Sequence, residues 1–260
     1  MAAATMRVYM ESLWRELEGY QDPNVLGIFV AIVVVLLTMV FFVLLRNRKS
    51  SRRAILLTGL CDSGKTVLCC RLLSRKFMVT HTSITSNSAL YRPKGDKAPA
   101  LTLHDLPGHE SLRHQYLEKH KNDARAIVFV VDSVSFQKEL KDVAEFLYML
   151  LTDAVIVKNA PPLLIACNKQ DVTMAKSAKL IRQQLEKELN TLRTIRSGVP
   201  KSLDESGVVG SVPLGKKGKD YDFSQGPMKV EFAECSARGN KGSVGEANIS
   251  TVEAWLVKVA

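Results

Sequence analysis

The chain has 260 residues, 46% hydrophobic and 24% charged, with a formal net charge of +10. That length holds one ordinary domain with extras or two small ones, and the apolar fraction excludes wholesale disorder. The positive excess suits anionic lipid, RNA or an acidic partner without choosing among them.

Residues 1–24 form a short tail carrying Glu11, Glu16, Glu18 and Asp22, and the stretch from Val25 to Leu45 has no charge. Roughly 20 residues at about 1.5 Å each span a hydrocarbon core of about 30 Å, so residues 25–45 are expected to be one transmembrane helix. A cleaved signal peptide is the main rival, but the preceding stretch is acidic and no small-residue cleavage site follows. Arg46, Arg48, Lys49, Arg52 and Arg53 crowd the linker 46–53. The positive-inside rule then puts everything beyond the span in the cytoplasm, with the tail on the far side. The same basic residues suit contact with anionic headgroups. Five cysteines, Cys61, Cys69, Cys70, Cys167 and Cys235, show neither metal-ligand spacing nor a disulfide framework, which agrees with a reducing compartment.

Beyond the linker, short apolar runs alternate with helical periods. Strands are expected at Ala54–Thr58, Ala89–Arg92, Leu101–Leu106, Ala126–Val131, Leu163–Cys167 and Val230–Cys235. Helices are expected at Lys65–Ser74, Phe136–Leu151, Ala175–Ile195 and Thr251–Val259. Such alternation predicts an α/β domain over 54–260, with a mostly parallel six-stranded sheet flanked by helices. Ser197 to Gly226 is rich in Ser, Gly, Pro and Lys and reads as a mobile insertion. A basic contact site for RNA or a partner is the sharper alternative for it.

Gly59-Leu60-Cys61-Asp62-Ser63-Gly64-Lys65-Thr66 matches the phosphate-binding loop G-x-x-x-x-G-K-[ST], between a strand and a helix that continues with Val67. Glycines let backbone N–H groups approach phosphate oxygens, and the helix N-terminus adds a positive dipole end. Lys65 suits the β- and γ-phosphates, and the Thr66 hydroxyl suits Mg²⁺. The loop by itself fits an ATPase, a nucleotide kinase or a GTPase.

Asn168-Lys169-Gln170-Asp171 follows directly on a buried strand. With the loop it resembles the Ras/Arf-like small GTPases. The resemblance implies that Asp171 accepts from the guanine ring N–H and exocyclic amine, with Asn168 beside it and the Lys169 stem along the base. Ser236-Ala237 resembles the last base-contacting loop, with Arg238 where Lys is common and the Ala237 N–H facing the guanine carbonyl. Asp105-Leu106-Pro107-Gly108 resembles the D-x-x-G switch, implying that Asp105 holds Mg²⁺ through water and the Gly108 N–H meets the γ-phosphate. The first switch is expected across Thr80, His81, Thr82 and Ser83, and Thr80, Thr82 and Thr85 are the candidates for its Mg²⁺ ligand, Thr82 preferred. His109 stands where Ras- and Arf-type proteins have Gln, so it is the candidate for orienting water. Slow or partner-dependent GTP hydrolysis is expected.

Anchor, basic flank, the three motifs and the late insertion together resemble the receptor beta-subunit family of the signal recognition particle. That resemblance implies GTP/GDP and Mg²⁺ as ligands and the endoplasmic reticulum membrane as location. It also implies a heterodimer with the receptor's alpha subunit, recruited under GTP, and indirect contact with ribosome–nascent-chain complexes. The competing readings are an Arf/Sar-like trafficking GTPase and a membrane-bound ATPase. Asn168 and Asp171 oppose the second.

Overall fold

The structure is a computed structural model that describes residues 31–39, 52–93, 99–198, 212–216, 218–239 and 247–260. The chain divides into two units, Met1–Ser51 and Arg52–Ala260. In the first, residues 31–39 are helical with exposed side chains. Among the described residues no helix is long and apolar enough to cross a membrane. The tail 1–24, the remainder of the apolar stretch 25–45 and residues 46–51 of the basic linker lie outside the described residues.

The second unit is an α/β domain. Its strands are β1 (Ala54–Thr58), β2 (Asn87–Tyr91), β3 (Leu101–Asp105), β4 (Ala124–Asp132), β5 (Leu163–Asn168) and β6 (Val230–Glu234). They form one six-stranded sheet in the order β2-β3-β1-β4-β5-β6. Only the β2–β3 pair is antiparallel. The helices are α1 (Lys65–Ser74), α2 (Glu110–His120), α3 (Phe136–Thr152), α4 (Ala154–Asn159), α5 (Ala178–Gly198) and α6 (Ser250–Val259).

The central strands are continuous apolar runs because both sheet faces are covered. Side chains alternate between the faces, so neighbours in one strand enter different cores. Ile55, Leu57, Val128 and Val130 meet Leu68 and Leu72 of α1 and Val252 and Trp255 of α6. Leu56, Phe129, Val131 and Ile165 meet Phe146 and Leu147 of α3 and Leu185 and Leu189 of α5.

Two differences from the sequence reading have physical causes. Helices α2 and α4 were not expected: α4 has only 6 residues, and in α2 only Leu117 is buried, so it carries almost no apolar stripe. Part of the stretch 197–226 is packed against the domain, although residues 199–211 and Lys217 lie outside the described residues. Leu214, Tyr221 and Phe223 are buried, and the Phe223 ring meets Phe232 of β6 edge-on at 5.2 Å. Arg193 of α5 donates to the carbonyls of Lys216 and Lys219 at 3.3 and 2.7 Å. Single aromatic anchors in a Ser/Gly/Lys background leave no periodicity to read.

Candidate functional site

Parallel strands bring their C-terminal ends to one edge of the sheet, and on both sides of β1 the connections diverge to opposite faces. Ligands of open α/β sheets bind in the crevice at such a point. Here register places Leu57 beside Asp105 and Asp132 beside Asn168, so the loops after β1, β3, β4 and β5 converge. A cleft of about 710 Å³ opens there, within the range of small-molecule sites.

The phosphate loop forms its floor. Gly59 has φ 138°, and a Cβ there would lie 2.3 Å from the Val130 carbonyl oxygen, so only glycine fits between β1 and β4. Asp62 and Gly64 are left-handed, at φ 57° and 90°, which curls the loop into the start of α1. The Lys65 ammonium donates to the Leu60 carbonyl at 2.5 Å and so lies folded over the loop. Burial pushes its pKa down, against the attraction of Asp105 and Asp62.

Behind the loop, Thr66 Oγ1 donates to Asp105 Oδ2 at 2.7 Å. Asp105 is fully buried, and its Oδ1 has no hydrogen-bond partner among the described residues. Burial raises the Asp105 pKa, and the Thr66 hydrogen bond and the Lys65 charge oppose the rise. A buried carboxylate oxygen without a donor is costly, and a hydrated divalent cation would satisfy it. Asp105 and Thr66 therefore fit Mg²⁺.

In the first switch segment, Thr80, His81, Thr82 and Ser83 all line the cleft, and Thr85 is not among the lining residues. It is the hydroxyl of Ser83, rather than that of Thr82, that reaches Thr66, at 3.2 Å. Gly108 sits on the phosphate loop: a Cβ there would lie 2.6 Å from Lys65 Nζ and 2.7 Å from the Cys61 nitrogen. His109 is exposed, outside the cleft lining, with Nδ1 2.8 Å from Ser111 Oγ.

The other wall is built from the loops after β5 and β6. Asn168 Nδ2 donates to the Ser63 carbonyl at 2.8 Å, and its Oδ1 accepts the Ala237 N–H at 3.0 Å. The expected direction of that N–H, toward a base carbonyl, is therefore replaced by a brace between loops. Asp171 accepts from Ser236 Oγ at 2.6 Å. The Lys169 ammonium pairs with Asp132 Oδ2 at 2.7 Å. Burial works against the Asp132 charge, but Lys169 and the N–H of Val134 outweigh it and hold the carboxyl below the usual range.

Cys61, Asp62, Gly64, Lys65, Thr66, Val67, Gly108, Asn168, Lys169, Asp171 and Ala237 all line this cleft. Gly59, Leu60, Ser63 and Ser236 shape it from behind. Sequence reasoning missed Phe77, Met78, Val79 and Val172 in the lining. It also missed Asp132, whose only signal is its place at the end of an apolar strand. Among the described residues no cluster of three or more His, Cys, Asp or Glu could hold a metal without a ligand's help.

A phosphate loop, a D-x-x-G segment and an N-K-x-D loop around one crevice of a mostly parallel six-stranded sheet define the fold of a small GTPase. Residues 50–230 match the family model of the signal recognition particle receptor beta subunit. The chain belongs to that family. It is similar to the signal recognition particle receptor subunit beta of Homo sapiens, 58% identical over 100% of this chain and 95% of the relative. Among solved structures it is similar to a chain of the mammalian SRP receptor, with 57% identity, 80% of this chain and 100% of that chain covered, and TM-score 0.70. It is also similar to signal recognition particle receptor SRb-GDP-Mg from Chaetomium thermophilum, with 25% identity, 82% and 100% coverage, and TM-score 0.57.

Proposed function

We propose that this chain is a membrane-anchored GTP-binding switch that recruits the alpha subunit of the signal recognition particle receptor to the endoplasmic reticulum membrane. Family membership supports the role in that receptor. The observation that carries the nucleotide reading is one cleft holding both the phosphate loop and Asp171. Phosphate chemistry alone fits any nucleotide, but a carboxylate at the base end selects guanine, which presents donors where adenine does not.

In this reading the backbone of Asp62 to Thr66 cradles the phosphates, Lys65 leaves the Leu60 carbonyl to meet them, and Thr66 and Asp105 hold Mg²⁺. When bound, GTP with Mg²⁺ supplies the γ-phosphate charge that distinguishes it from GDP. Gly108 and Ser83 sit closest to that end and would change position with it, re-forming the exposed surface of Met78, Val79 and Ile84. His109 stays outside the cleft until a partner moves it, which suits recruitment better than rapid turnover. The stretch 25–45 supplies the anchor, with the domain from residue 54 onward in the cytoplasm. Indirect contact with ribosome–nascent-chain complexes completes the proposal.

The test is the nucleotide carried by the purified full chain, read by mass spectrometry, and its capture of the alpha subunit's N-terminal domain under GTP and under GDP. GTP-dependent capture is expected. Absence of guanine nucleotide under every loading condition would sink the nucleotide reading, and equal capture under both would sink the switch.

A further inference from the structure

The edge of the sheet opposite the cleft is basic, and the switch proposed above makes no use of it. The parallel strands begin there and β2 ends there. Arg53 precedes β1, Arg92 follows β2 and Lys229 precedes β6. Lys119 stands near the end of α2, Lys158 near the end of α4 and Lys258 near the end of α6. All of these side chains are exposed.

The acids of this edge do not cancel them. Glu118 and Asp153 are both engaged by Lys121, at 2.6 and 2.7 Å. Glu231 is shared by Lys229 at 3.1 Å and Lys258 at 3.0 Å. Asp123 lies beside His104 and His120. Positive charge is left in excess from Arg92 at one edge strand to Lys229 at the other. Across six strands that is a width of about 24 Å, which matches an extended surface rather than a single small anion.

The point where the chain enters says what such an edge meets. Arg52 donates to Asn159 Oδ1 at 2.6 Å, so the linker joins the domain at this same edge. Residues 46–51 separate it from the apolar stretch 25–45, and a chain that long reaches at most about 21 Å. On so short a tether the edge stays close to the headgroups, whose negative charge attracts exposed cations. RNA carries the same charge but has no comparable tether to this edge.

We infer that this edge is a lipid-docking surface: Arg53, Arg92, Lys158 and Lys229 rest on the anionic headgroups of the cytoplasmic leaflet. This rests on the membrane anchor proposed above. The cleft lies at the other ends of the same strands, so docking presents the switch segments to the cytosol, away from the bilayer.

The experiment follows the full chain in nanodiscs of phosphatidylcholine and in nanodiscs with about one-third phosphatidylserine, each doped with a gadolinium-chelating lipid. NMR relaxation enhancement at the Asn122 and Asn159 amides reports the edge, and at the Lys65 amide the cleft. Each basic residue near the surface favours the docked state about fivefold, so phosphatidylserine should raise the enhancement at the edge by roughly threefold or more and leave Lys65 unchanged. Salt at about 1 M should abolish the difference. The variant R92E/K158E/K229E keeps the whole linker and should lose the response to phosphatidylserine. Equal enhancement on both bilayers in wild type, which needs no variant to fold, overturns the inference. A response retained in the variant also overturns it, because the linker alone would then sense the lipid. So does duplex RNA that draws the edge off the bilayer at a phosphate concentration equal to that of the phosphatidylserine, which would assign the surface to RNA. Failure of the full chain to insert into either nanodisc overturns instead the anchor on which the inference stands.

Discussion

The side-chain amide of Asn168 is hydrogen-bonded to the carbonyl of Ser63 at 2.8 Å, across more than a hundred residues of chain. Its other end accepts from Ala237. One buried amide therefore ties the loop after β5 to the phosphate loop and to the loop after β6. Gly64 is part of the same fit, since a Cβ there would lie 2.3 Å from Asn168 Nδ2. Replacing Asn168 with Ala leaves a buried acceptor and a buried donor unpaired, at a cost of about 3 kcal/mol. The melting temperature should fall by roughly 6–12 °C for a domain of this size, measured by differential scanning fluorimetry. A fall within 2 °C, well inside that of an ordinary surface change, would contradict the brace.

Asp171 faces the cleft with its Oδ1 fixed by Ser236. Asp171→Asn keeps the Ser236 bond but places an amine where guanine also donates. Affinity for GDP should drop on the order of a hundredfold, and affinity for XDP, which offers a carbonyl there, should rise. Competition titrations with the two diphosphates give the answer; equal losses for both would remove Asp171 from the base site.

Asp105 Oδ1 is buried without a donor, and Thr66 shares the other oxygen. Chelating Mg²⁺ with EDTA should therefore speed GDP release by roughly tenfold or more in wild type, and scarcely at all in Asp105→Ala. Stopped-flow release of a fluorescent GDP measures both, and an EDTA response preserved in D105A would move the cation elsewhere.

His104 of β3 and His120 at the end of α2 stack with ring centroids 4.4 Å apart. His104 Nδ1 also meets Ser88 Oγ of β2 at 2.7 Å. Burial lowers both pKa values; each ring's cationic neighbour, His120 or Lys119 respectively, adds to the effect, and Asp123 opposes it. Folded pKa values below the unfolded value of 6.5 mean that the unfolded chain takes up protons first. Their stability contribution is complete above that value and is lost as the pH falls through it toward the lowered folded values. Melting temperatures measured from pH 7.5 to 5 should decline, and the decline should be shallower in the double variant H104Q/H120Q.

Single-turnover hydrolysis by the isolated full chain should run well below one per second, as unassisted small GTPases do. His109 is hydrogen-bonded to Ser111 and outside the cleft, so His109→Ala should change that rate by less than about threefold, where a working general base contributes a hundredfold or more. A hundredfold loss in H109A would show that the imidazole already acts without a partner.

Much of the architecture was legible because it repeats a local rule. The buried strands around Leu56, Phe129 and Ile165 are runs of apolar residues, and α3 and α5 carry full stripes. Ends were less legible: β4 extends to Ala124 and Asp132, beyond its apolar run, because its pairing with β1 and β5 continues past the last hydrophobic side chain. Where the stripe is thin, as in α2, or reduced to anchors such as Tyr221 and Phe223, the local signal vanished while the packing remained.

The sequence by itself determined the phosphate loop, the N-K-x-D loop that carries Asp171 and the order of the strands, since each is written in neighbouring residues. Only the tertiary structure decided that Ser83 reaches Thr66, that Asp132 holds Lys169, and that Arg71 reaches the carbonyls of Ala237 and Arg238. Those partners lie between 17 and 167 positions apart in the chain. A hydrogen bond needs its atoms within about 3 Å, and over such separations only the folded sheet sets that distance.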